Sequence, residues 1–104
     1  MGKNVKLNYM YRDGGNYKQF GWVVFENPEE ITFQSATQKL KEKLIQDAFF
    51  VAEDWKLPSL RVYAYDPEID HGWHEFEEFE ETDEVSGDSR TLREFLESIV
   101  LGYD

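Results

Sequence analysis

The chain contains no cysteine, which excludes a disulfide framework, a thiolate nucleophile and any zinc site built on Cys ligands. The redox compartment stays open. No apolar run approaches the roughly 20 residues of a membrane span, and the start, MGKNVKLNYMYRDGG, lacks the continuous apolar stretch of a signal peptide. Lys6 stands where an N-myristoylation motif requires Ser or Thr. A cytoplasmic location with no membrane partner is the expectation. Neither a phosphate-cradling glycine pattern nor a G-x-S-x-G elbow occurs. Cations are also few: 11 Lys and Arg against 22 Asp and Glu give a net charge of −11, which disfavours direct nucleic-acid binding.

Aromatic residues are plentiful. Three Trp, six Tyr and eight Phe in 104 residues supply enough large side chains for one core, so residues 1–104 are read as a single domain. The charge is unevenly spread. Residues 1–25 hold Lys3, Lys6, Arg12 and Lys18 against Asp13, a local +3, which leaves −14 for residues 26–104. These regions either face one another in the fold or form separate patches.

Val5, Leu7, Tyr9 and Tyr11 alternate with polar residues and Met10, the period of a half-buried strand. Asp13-Gly14-Gly15-Asn16 is a turn signal, and the β-rich run from Tyr17 to Glu26 follows, so an antiparallel hairpin is predicted. Asn27-Pro28 breaks the second strand. Thr32 caps a predicted helix over 33–47, with Phe33, Ala36, Leu40, Leu44 and Ala48 at helical spacing. Phe49, Phe50, Val51 and Trp55 read as a helical extension or a tight buried connection. Leu60, Val62 and Ala64 alternate as a third strand, ended by Asp66-Pro67.

Trp73, Phe76 and Phe79 are spaced by three, which suits a helix face or a strand with a bulge near Glu77-Glu78. The bulged strand is preferred because it pairs with the strand before it and completes a four-stranded sheet. Asp88 is placed as the cap of a final helix, with Leu92, Phe95, Leu96, Ile99 and Val100 on one stripe and Gly102 as its stop. The expected fold is an α+β, ββαββα two-layer sandwich: a mostly antiparallel four-stranded sheet with two helices on one face. Its expected core includes Leu7, Phe25, Leu40, Leu44, Val62, Phe95, Leu96 and Ile99.

Ten of the 22 carboxylates fall between Asp66 and Glu84, a segment with both histidines and neither Lys nor Arg. Asp66, Glu68 and Asp70 alternate, and Glu77 is twelfth from Asp66, but His71 occupies the sixth position, where a calcium loop needs Gly. His74 to Glu78 begins like a zinc-protease H-E-x-x-H and ends in Glu. The metal alternative is a metal-assisted hydrolase using Asp66, Asp70, His71, His74 and Glu75. No cofactor is expected. A second alternative is an anionic-ligand pocket at the hairpin, built from Tyr9, Tyr11, Arg12, Tyr17 and Lys18. Its bland counterpart is a set of cross-strand tyrosine pairs beside a solvated basic edge.

The YRDGGNYKQFG and YDPEIDHGWHEFE segments together resemble a small family of bacterial proteins of about this length. The resemblance covers most of the chain. It implies a compact single domain and a mobile-element setting, and transfers no catalytic residue. The leading functional expectation is a small protein-interaction module, regulatory or inhibitory, presenting Asp70, Trp73, Glu75, Glu77, Glu78, Phe79, Glu80 and Glu81 to a basic protein. A narrower form is nucleic acid mimicry, since alternate strand residues lie about 6.8 Å apart, close to two phosphate steps of roughly 3.4 Å.

Overall fold

The computed structural model describes residues 4–12, 18–60 and 73–99. Strand β1, Asn4–Arg12, pairs antiparallel with β2, Lys18–Phe25, in a register running from Val5 opposite Phe25 to Arg12 opposite Lys18. The predicted turn, residues 13–16, lies outside the described residues. Val5, Leu7, Tyr9 and Tyr11 are buried, as the period of two requires.

Helix α1, Phe33–Lys41, starts where expected: Thr32 Oγ1 accepts the Ser35 N–H at 3.2 Å. Ala36 and Leu40 are its buried residues. It stops well short of 47, because the next segment must turn back into the sheet. The Ala48 and Phe49 N–H groups both donate to the Ile45 carbonyl at 3.0 Å, and Gln46 and Asp47 take φ of 54° and 60°. Two consecutive left-handed residues make the tight reversal typical of a hairpin turn.

The reversal delivers Phe49–Val51 as strand β3, followed by a 3₁₀ turn, Ala52–Trp55. A helical extension of α1 is therefore ruled out here. The indole of Trp55 stacks on Phe50, centroids 4.5 Å apart and planes 8° from parallel. Both rings are buried. Of the expected third strand only Leu60 is described, and the core candidate Val62 lies outside the described residues. Leu60 packs against Gly21, where an added Cβ would stand 2.6 Å from its Cδ2.

Strand β4, Trp73–Thr82, pairs antiparallel with β1 on one side and with β3 on the other. The sheet order is β2-β1-β4-β3. Its fourth strand is thus the short Phe49–Val51 run, whose three residues were too few to display a period. Phe50 is its buried member, opposite His74.

Helix α2, Leu92–Ser98, is capped by Thr91 rather than Asp88. Thr91 Oγ1 accepts the Glu94 N–H at 3.2 Å, and Glu94 Oε1 accepts the Thr91 N–H at 2.9 Å, a reciprocal box that satisfies two otherwise orphaned donors. Asp88 instead grips Arg90, whose Nη2 and Nε donate to its two carboxylate oxygens at 2.7 and 2.9 Å. Arg90 also donates to the carbonyls of Trp55 and Lys56, and its guanidinium lies 5.2 Å from the Phe95 ring centroid. One planar cation thereby ties the 3₁₀ turn to the approach of α2. The helix ends at Ile99, before the expected stop at Gly102, which lies outside the described residues.

The fold is α+β, with one antiparallel four-stranded sheet and two helices. Leu7, Phe25, Leu40, Leu44, Phe95, Leu96 and Ile99 all belong to the core cluster. No helix among the described residues is long and apolar enough to cross a membrane.

Two outcomes follow. Asp47→Gly removes the steric cost of a side chain at positive φ and should raise unfolding stability by about 1 kcal/mol in a urea titration. The second concerns acid. The Arg90 hydrogen bonds hold the Asp88 carboxyl below its ordinary 3.8, so its contribution is present above that pH and is lost as pH falls through the lower folded value. In urea titrations from pH 6 to about pH 2, Asp88→Asn should be less stable than the parent at pH 6, with the gap closing over the acid limb; a constant gap would contradict this linkage.

Candidate functional site

The acidic segment owes its geometry to one extra residue. Along β1 the partners run from Leu7 opposite Phe79 and Asn8 opposite Glu78 to Tyr9 opposite Phe76, so Glu77 is inserted without a partner. This is the bulge expected near Glu77-Glu78. It lets Phe76 and Phe79 face the same side, their ring centroids 5.3 Å apart, despite a spacing of three. Phe79 is buried and belongs to the core. It is therefore removed from the expected interaction surface: burial against the cluster that contains Leu7 leaves no ring to offer a partner.

Glu77, Glu78, Glu80 and Glu81 are all exposed. Among the described residues none of the four is ion-paired, although Glu80 accepts the Asn8 side-chain amide at 2.8 Å. Glu75 is different. It is half-buried and accepts from Arg12 Nε at 3.1 Å. Trp73 is half-buried too, its indole 5.1 Å from the Phe49 ring. Asp70 lies outside the described residues.

The basic N-terminal region and the acidic segment meet across the β1–β4 pairing. Besides the Arg12–Glu75 pair, Lys6 Nζ lies 2.6 Å from Glu84 Oε2 and 4.9 Å from the centroid of Trp22. Glu84 also accepts from Thr82, and its backbone carbonyl accepts from Asn4. The Lys6 hydrogen bond draws the Glu84 carboxyl below its usual range, and the same bond raises the Lys6 ammonium. The acidic surface is thus trimmed at its two ends by β1 cations, and Lys6 also stands opposite Glu80.

Among the described residues the side chains expected to form the hairpin pocket are not gathered at the surface. Tyr9 and Tyr11 are buried, and the Tyr9 hydroxyl donates to the Pro58 carbonyl at 2.6 Å. Desolvation pushes that phenol up to about 12. Arg12 is engaged by Glu75, Lys18 is exposed on β2, and Tyr17 lies outside the described residues. Rings turned into a core cannot stack on a base at the surface.

His74 is fully buried among the rings of Tyr9, Tyr11 and Phe50, at centroid distances of 5.9, 5.1 and 5.9 Å. Its Nε2 accepts the Leu60 N–H at 3.0 Å, so that nitrogen's lone pair is already used and the ring is the neutral Nδ1-protonated tautomer. Of the five residues considered for a metal, His74 and Glu75 are thus engaged within the fold, while Asp66, Asp70 and His71 lie outside the described residues. Among the described residues no group of three or more His, Asp or Glu is placed to hold an ion. Two surface depressions among the described residues are lined by residues such as Phe33 and Gln38, or Lys39, Arg93 and Leu96, with none from β4.

Phe20 and Trp22 are surface features missed by the sequence reading, 62% and 55% exposed on β2. Their signal was the alternation with Gly21, hidden inside a run of β-formers.

The bulge is open to a direct check. Deleting Glu77 should change unfolding stability by no more than about 1 kcal/mol in chemical denaturation, because Phe76 and Phe79 are then two apart and a regular strand keeps both inward in the same register. A loss of about 3–5 kcal/mol, the range for losing a buried Phe, would show that Glu77 is not the residue passed over in the pairing.

No family model matches the chain, and no curated protein or solved structure matches it either.

Proposed function

We propose that the protein is a small acidic interaction module, regulatory or inhibitory in kind, that presents the middle of β4 to a basic partner protein. The observation that carries this reading is the exposure of Glu77, Glu78, Glu80 and Glu81 on a strand whose two phenylalanines are held inward. Four solvated carboxylates within five residues make a local field that speeds encounter with a cationic surface and selects against an acidic one. Half-buried Trp73, rather than Phe79, is the aromatic candidate at the border of this surface.

The reading takes the ββαββα order with both helices on one face of the sheet. Its support is that Ala36 and Leu40 of α1 and Leu92 and Phe95 of α2 join Val5, Leu7 and Tyr9 in one core cluster. The other sheet face then remains available. A cytoplasmic bacterial setting belongs to the same proposal. Mimicry of nucleic acid is its narrower form, and the bulge favours it by putting Glu78 and Glu80 on the face that also holds Glu75, with one inward residue between them.

The reversal Glu77→Lys, Glu78→Lys, Glu80→Lys, Glu81→Lys tests the surface. Because these groups are exposed, stability should change little, on the order of 0.5 kcal/mol per site or less. In quantitative affinity capture, a specific partner should be lost from the variant and released from the parent by salt. Retention of the same partner at unchanged affinity would refute the assignment. Mimicry further requires the parent chain to compete with DNA for that partner.

A further inference from the structure

Among the described residues strand β2 ends the sheet. The Gly87 N–H donates to the Val24 carbonyl at 3.1 Å, so that carbonyl points away from β1. In an antiparallel ladder the direction alternates, and the backbone groups of Trp22 and Phe20 therefore point outward as well. The loop that leads into α2 covers this edge only near Val24 and Glu26, where the Leu92 N–H reaches the Glu26 carbonyl at 2.7 Å. Lys18 to Trp22 has no strand beside it among the described residues. Here Phe20 and Trp22 stand exposed on one face, while Gly21 between them turns inward to Leu60.

The two edges of the sheet differ in chemistry. Where β4 runs past the end of β3, its residues include Glu77, Glu78, Glu80 and Glu81, the kind of charge that blocks unwanted strand pairing. Strand β2 has no carboxylate at all. It offers two large aromatics and open backbone groups instead.

We propose that the Lys18–Trp22 edge pairs antiparallel with the same edge of a second copy of this chain, joining two sheets into one. A twofold axis at Gly21 sets Phe20 opposite Trp22 of the second copy, and Trp22 opposite its Phe20. Both are outward-pointing positions, so each pair exchanges two backbone hydrogen bonds, roughly four in all. Each also forms a cross-strand aromatic pair. Beyond Trp22 the loop at Gly87 covers Val24, so the pairing spans Phe20 to Trp22 of each copy. That reciprocal match of rings is what selects a second copy over an unrelated strand. A chain of net charge −11 resists self-association, and the edge belongs to the N-terminal quarter, which carries +3. The proposal does not depend on the acidic surface of β4.

Sedimentation and light scattering over a concentration series test it. The parent chain should reach the mass of two chains, and its dimer fraction should rise as salt goes from roughly 50 to 300 mM and screens the mutual repulsion. The double variants Phe20→Glu, Trp22→Glu and Phe20→Lys, Trp22→Lys should each run as single chains, and mixing them should restore the two-chain mass. A parent that stays single throughout would leave the edge to a foreign strand and overturn the proposal. So would a double variant that still dimerises by itself, or a mixture of variants with parental circular dichroism that stays single.

Discussion

Pairing of β4 with β1 under a one-residue insertion is the constraint on which the rest of the structure depends. Side chains alternate along a strand, so residues three apart fall on opposite faces. Phe76 and Phe79 both reach the interior only because Glu77 is passed over in the count. Were Glu77 counted into a regular ladder instead, Phe79 would exchange places with carboxylates, and a core already containing Leu7, Leu40 and Phe95 would have to admit charge. The same insertion keeps Glu75, Glu78 and Glu80 together on the other face. One irregularity thus serves both the core and the charged surface.

Electrostatics follow the strand order. With β1 between β2 and β4, the cations of the N-terminal hairpin lie within reach of the acidic segment, and the Arg12–Glu75 and Lys6–Glu84 pairs form at opposite ends of β4. Each is partly solvated and contributes modestly. Their larger effect is on shape. Glu84 holds the start of the final loop against Lys6 and Asn4, and from there the chain runs to the Arg90 clamp and α2.

Beneath this surface the aromatic interior is specific about its polar atoms. Tyr9 and His74 are both buried, and each is bonded to the backbone of the same short segment: the Tyr9 hydroxyl donates to Pro58, and the Leu60 N–H donates to His74 Nε2. Leaving either group unpaired in the core would cost about 1–3 kcal/mol. The connection after the 3₁₀ turn is therefore anchored to β1 and β4 by hydrogen bonds, with Leu60 seated over Gly21 as its apolar contact.

Much of the fold was legible in the chain because periodicity and caps are local. The hairpin strands, the start of α1 at Thr32, most core positions and the bulged strand all follow from spacing and residue type. What local signals could not decide was how far α1 runs, since 33–48 keeps a helical period; the pull of β3 toward Trp73–Glu75 ends it, and that pairing is tertiary. Asp88 and Thr91 are both acceptable caps by type, and only the competing demand of Arg90 assigns them. The same holds for function-bearing residues. By itself the sequence determined that carboxylates and both histidines crowd Asp66 to Glu84 and that Tyr9 and Tyr11 belong to the N-terminal hairpin. Only the tertiary structure decided which of these reach solvent, because burial is a property of neighbours brought together across the sheet: Tyr9, Tyr11, His74 and Phe79 turn inward, and Glu77, Glu78, Glu80 and Glu81 remain outside.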